Sequence, residues 1–150
     1  MKDGSLMNNG RVTTPTGHLN PIARITLIVA YAVLALAALG RSSFEISTKF
    51  GDAPLPYTVS AISAVLYTVI TFALWRGKNR LALIGSSIEL VGVLTAGSLG
   101  IIESAWWPKS TVWTGFGSGY GWLPLLLPML ALWALIRARR SSAAPAEVAR

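Results

Sequence analysis

The chain has 150 residues, 53% of them hydrophobic and 13% charged. Soluble domains carry roughly 25% charged residues, so an ordinary soluble domain is excluded, and so is disorder, which requires few apolar residues. There is no cysteine and only one histidine, His18, which excludes disulfides, thiolate metal sites, a cysteine nucleophile and a multi-histidine metal site within one chain.

Residues 1–20 are rich in Gly, Asn and Thr and are expected to form a flexible tail. A bilayer core of about 30 Å needs roughly 20 apolar residues in a helix, and four stretches qualify. The first spans about residues 21–40. Pro21 suits a helix start, and Gly40 suits a stop. A basic start followed by an apolar run and ALAALG can also be read as a cleaved signal sequence. The run is long for that purpose, so an uncleaved span is the preferred reading. Residues 41–55 are expected to be a loop.

The second span covers about 56–75. Its β-branched residues disfavour a helix in water, but in lipid the backbone has no other partner. A short basic hairpin, RGKNR, leads into the third span at about 81–102. The fourth is the shortest, at about 120–136. Pro124 falls in its first turn, and Pro128 is expected to bend it. Residues 103–119 form a second loop, and 138–150 a second flexible tail. The expected domain is thus 21–137, an all-α bundle of four transmembrane helices.

The net charge of +7 reads as a topology signal, since no soluble face exists to carry a nucleic-acid site; no nucleic-acid partner is expected. Lys2, Arg11, Arg24, Arg76, Lys78, Arg80, Arg137, Arg139, Arg140 and Arg150 fall on one side, against Arg41, Lys49 and Lys109 on the other. Positive residues stay cytoplasmic. The expected placement is the plasma membrane with both termini inside (N-in/C-in) and membrane lipids as neighbours.

Glu89 lies near the middle of the third span. A charged side chain there costs roughly 2.5–3.5 kcal/mol on insertion scales, and such residues face the bundle or a water cavity. It sits on a stripe of small residues, Gly85, Gly92, Ala96 and Gly100, that would let another backbone approach. Ser60, Ala64, Tyr67 and Thr71 form a matching stripe on the second span. Antiparallel pairing would bring Tyr67 toward Glu89, and Tyr31 of the first span lies at similar depth. Glu89, Tyr67, Tyr31 and Ser86 are therefore the candidate intramembrane polar site. Its role is either a packing bond from Glu89 to a tyrosine or serine, or a proton or cation site.

A second candidate set, for contact with a lipid, glycan or protein, is Glu103, Trp106, Trp107, Lys109, Trp113 and Tyr120 around the aromatic loop. The segment GFGSGYG within it lacks the lysine of a Walker loop and follows no strand, so it reads as a flexible turn at the membrane surface. With no serine–histidine–acid set and no paired carboxylates, an enzyme is not expected, nor is a cofactor or metal.

The strings IELVGVLTAGSLGI and TVWTGFGSGYGWLPLLLPMLALWAL resemble a group of small actinobacterial integral membrane proteins. In that group a helix bearing Ile-Glu precedes an aromatic Gly-Tyr-Gly turn and a proline-bearing last helix. The resemblance covers roughly the second half of the chain and implies a four-span membrane protein without an assigned activity. Small multidrug-resistance exporters carry their glutamate in the first helix, and membrane glutathione-handling enzymes need intramembrane Arg and Asn. This chain departs from both patterns. The leading expectation is a non-enzymatic accessory or structural subunit, acting through helix packing and the aromatic loop within a larger membrane or cell-envelope complex or by self-association. The alternative is a small proton-coupled transporter using Glu89.

Overall fold

A computed structural model describes residues 18–102 and 109–143. Every regular element among them is helical: α1 (Pro21–Lys49), a 3₁₀ turn (Phe50–Asp52), α2 (Pro54–Trp75), α3 (Asn79–Ile102), a 3₁₀ segment (Thr114–Tyr120) and α4 (Leu123–Ala143). Three of these helices are long and apolar enough to cross a membrane. A fourth crossing results if Thr114–Tyr120 and Leu123–Ser141, bent by 98°, count as one span.

The helices form a ring in which α1 packs on α2, α2 on α3, α3 on α4, and α4 on α1. Side-chain contacts fix their directions. Arg24, near the start of α1, reaches the hairpin between α2 and α3, with Nη2 3.5 Å from Asn79 Oδ1. Arg41, farther along α1, donates through Nη2 to the carbonyl of Ser110 at 2.6 Å and to its hydroxyl at 3.0 Å. Consecutive helices therefore run antiparallel. The hairpin end carries exposed Arg76, Lys78, Arg80, Arg137, Arg139 and Arg140. The other end carries Arg41, Glu45, Asp52 and Ser110.

The two exposed tryptophans of the hairpin end, Trp75 and Trp133, each lie under a guanidinium. Arg76 stands 5.4 Å from the Trp75 ring centroid, and Arg137 is 5.4 Å from that of Trp133. Tryptophan and arginine at a helix end match the headgroup level of a bilayer. Inside the ring, Tyr31, Leu34, Tyr67, Ile70, Leu74, Val93 and Leu135 form the core. Large apolar side chains such as Ile25, Leu36, Val65, Val91 and Leu130 point outward.

Three boundaries differ from the sequence expectation. First, α1 passes straight through Gly40 and absorbs most of the expected loop 41–55. Gly40 keeps a negative φ. The turns beyond it are held by the Arg41–Glu45 ion pair at 2.8 Å and by hydroxyl bonds from Ser47 and Thr48 to the carbonyls of Ser43 and Phe44. Second, α4 starts at Leu123 and runs to Ala143, through part of the expected flexible tail. Ser141 bonds back to the Arg137 carbonyl at 3.1 Å, and the arginines suit the negative end of the helix dipole. Third, residues 18–20 belong to the fold. Leu19 is buried, and Asn20 caps α1 by accepting from the Ile22 amide at 2.9 Å.

Candidate functional site

Glu89 occupies the centre of the bundle with no exposed surface. The backbone positions it there: Ala82, Gly85, Ser86, Glu89, Val93 and Ala96 all face inward on α3, at helical three- and four-residue spacing. Tyr31 of α1, across the diagonal of the ring, donates its hydroxyl proton to Glu89 Oε2 at 2.7 Å. Ser86 lies 3.3 Å from the same hydroxyl. With the Tyr31 proton directed at the carboxyl group, Ser86 must be the donor in that second bond. The other carboxyl oxygen, Oε1, has no hydrogen-bond partner.

Tyr67 of α2 completes the group, but not as the sequence suggested. Its ring stands 6.3 Å from that of Tyr31. Its hydroxyl does not bond Glu89; it accepts from the indole N–H of Trp113 at 2.7 Å. All four candidate intramembrane residues thus converge, with Tyr31 rather than Tyr67 as the direct partner.

Trp113 corrects the second candidate set. A surface contact was expected, but the side chain is 6% exposed and enters the bundle. It lies over Gly92, one turn beyond Glu89, where a Cβ would stand 2.7 Å from the indole ring. Phe116 likewise covers Gly97, where a Cβ would stand 2.5 Å from its ring. Ile70 of α2 fills the space above Gly85. Gly85, Gly92 and Gly97 of α3 therefore receive side chains of this chain itself, rather than the backbone of a neighbouring helix.

The segment that delivers Trp113 folds tightly. Gly115, Phe116, Gly117, Gly121 and Trp122 all adopt positive φ, a region that costs a non-glycine residue roughly 1–2 kcal/mol. Thr111 braces the turn: its hydroxyl accepts from the Trp113 amide at 3.1 Å and its own amide donates to Thr114 Oγ1 at 2.7 Å. Gly117 is buried against Pro124. This is the GFGSGYG stretch, expected as a flexible surface turn and found packed against α3 and α4.

Tyr120 is half-buried beside Arg41, within hydrogen-bonding reach of it. Lys109 is exposed. Glu103, Trp106 and Trp107 lie outside the described residues.

Sequence reasoning passed over two polar residues nearer the Arg41 end, buried Ser42 and half-buried Glu45 of α1, and named Ser60 of α2 only as part of a stripe. The Oγ atoms of Ser42 and Ser60 and Oε2 of Glu45 are buried without hydrogen-bond partners. A signal for Ser42 was present, because it falls at helical spacing from Tyr31, as Ser60 does from Tyr67.

An all-helical chain with three to four helices able to cross a bilayer is compatible with a multi-pass membrane protein. No protein-family model, curated protein or solved structure matches it.

Proposed function

We propose that this is a non-enzymatic plasma-membrane protein with four crossings and both termini inside, in which Glu89 carries a proton as part of a small proton-coupled transporter. The sidedness follows from the basic hairpin and the α4 arginines sharing one end. The resemblance to small actinobacterial membrane proteins belongs to the same proposal. The observation that carries the functional reading is the Glu89 carboxyl group, buried at the bundle centre with one oxygen held by Tyr31 and the other unpartnered. An ionisable group retained at that depth despite its insertion cost is a functional candidate by default. The features that favoured an accessory subunit are weaker in three dimensions. Trp113 and Phe116 turn inward, and the small residues beneath them are already covered.

The test is proton flux into liposomes that trap a pH-sensitive dye, driven by a potassium diffusion potential. Wild-type protein should acidify the lumen, and Glu89→Gln should reduce the flux to that of empty liposomes. A wild-type flux that Glu89→Gln leaves undiminished would exclude proton carriage by Glu89.

The second reading, an accessory or structural subunit, has an observation of its own. The Ser86–Tyr31–Glu89 chain ties α1 to α3 across the ring, as a packing bond would. Under that reading, purification in mild detergent recovers unrelated proteins in stoichiometric amounts, and Glu89→Gln retains function at every pH.

A further inference from the structure

Eight hydroxyl side chains on these helices follow one habit. Ser47, Thr48, Thr58, Thr68, Thr71, Ser87, Thr95 and Ser141 each donate to the carbonyl four residues earlier. This is the ordinary way for a helix to satisfy Ser and Thr in an apolar setting. Ser42 and Ser60 do not do so. Both are almost completely buried, at 4% and 0% exposure, and neither hydroxyl has a partner.

The two serines lie in the same interface. Tyr31 packs against Tyr67, and from that level α1 and α2 run antiparallel toward the Arg41 end. Beyond the Tyr31–Tyr67 level α1 contributes Ala35, Ala38 and Ser42, and α2 contributes Ser60, Ser63 and Ala64, all buried. The seam is narrow-sided and runs from the Arg41–Glu45 pair, whose side chains are 30% and 13% exposed, to the Tyr31–Tyr67 level. From Ser42 to Tyr31 it covers roughly 16 Å at about 1.5 Å per residue. Toward the Arg41 end the oxygens Glu45 Oε2, Ser42 Oγ and Ser60 Oγ are unpartnered, and so is Oε1 of Glu89, the α3 residue whose other oxygen is held by Tyr31.

We propose that the α1–α2 seam binds a file of water molecules that connects Glu89 with the Arg41–Glu45 end of the bundle. A buried hydroxyl without a partner is costly, and water is the ligand small enough to reach such groups between packed helices while satisfying several at once. Tyr67, which accepts from Trp113, keeps its own proton to donate into the file. The file deepens the proton reading given above and rests on it for its purpose, since it supplies the route by which a proton reaches Glu89. Trp113, lying over Gly92, closes the neighbouring approach along α3.

The natural chain has no cysteine, so single cysteines report cleanly. Silver ion, small and thiol-specific, is the probe. Proteoliposomes carrying Ser42→Cys, Ser60→Cys or Ala131→Cys are exposed to silver, denatured and alkylated; mass spectrometry then counts the thiols that silver protected. Ala131 on α4 is as fully buried as Ser60 and serves as the dry reference. Helicity and elution volume establish that each variant is folded. Both serine-site thiols should react at least about tenfold faster than Cys at position 131, because reaction follows access to the thiolate. If either is as slow as that reference, no continuous file exists. The Glu89→Gln flux experiment separates the two ideas. Fast silver reaction without Glu89-dependent flux leaves the water file and removes the proton carrier. Slow reaction with such flux removes the file alone.

Discussion

Tyr31 and Glu89 meet across the diagonal of the helix ring, the phenol donating to the carboxyl Oε2 at 2.7 Å. The helices that carry them are not neighbours in the ring, so this bond joins parts of the bundle that ordinary side-by-side packing leaves apart. Tyr31→Phe removes the donor while keeping the ring. It leaves Glu89 with both oxygens buried and unpaired, and stability should fall by about 1–3 kcal/mol. Denaturant titration in mixed micelles measures the loss. The double variant Tyr31→Phe/Glu89→Gln should cost less than the sum of its parts, since the two residues act through one bond.

Trp113 and Tyr67 form the second buried pair. Trp113→Phe keeps most of the ring and deletes the N–H donor, which should cost about 0.5–1.5 kcal/mol. Trp113→Ala also removes the packing on Gly92 and should cost about 3–5 kcal/mol. The same titration distinguishes a hydrogen bond with packing from a surface aromatic, for which both variants would be near neutral.

Two glycines should respond in opposite directions to one substitution. A Cβ at Gly97 meets the Phe116 ring at 2.5 Å, whereas one at Gly40 meets nothing within 4 Å. Gly97→Ala should destabilise by about 1–3 kcal/mol through overpacking. Gly40→Ala lies inside a continuous helix and should stabilise by about 0.5–1 kcal/mol.

Threading through the membrane is tested with single cysteines on intact cells. Lys78→Cys, in the basic hairpin, should resist an impermeant maleimide added outside. Gly51→Cys, exposed in the turn after α1, should react. The reverse pattern would invert the assignment of the two ends.

Much of the helical architecture was legible in the sequence because long apolar stretches announce themselves. Apolar length marked the helices, and Glu89 stood out because nothing else charged falls within the third span. The depth of Tyr31 and Tyr67 and the inward stripe of Gly85, Glu89 and Gly92 followed from helical spacing. Which tyrosine bonds the carboxyl group depends on the rotation of three helices, and spacing along one helix does not contain that information. Trp113 was misplaced because an aromatic near a helix end ordinarily marks the headgroup level. Its inward course depends on a chain reversal through left-handed residues, including Phe116 and Trp122, which residue type does not announce. Gly92 and Gly97 gave a partial signal, being gaps of aromatic size on the helix preceding an aromatic-rich segment. The overrun of α1 past Gly40 follows from side-chain bonds such as Arg41 to Glu45, which outweigh one permissive residue.

The account turns on Glu89 exchanging a proton with the solution. Infrared difference spectroscopy of wild-type protein against Glu89→Gln in lipid isolates the carboxyl stretch of this one group. A carboxylic-acid band that grows and fades reversibly with bathing pH, and that shifts in deuterated water, is the expected result. A Glu89 signal that stays the same at every pH and does not exchange with deuterium would contradict the account, leaving the carboxyl group as a packing bond to Tyr31.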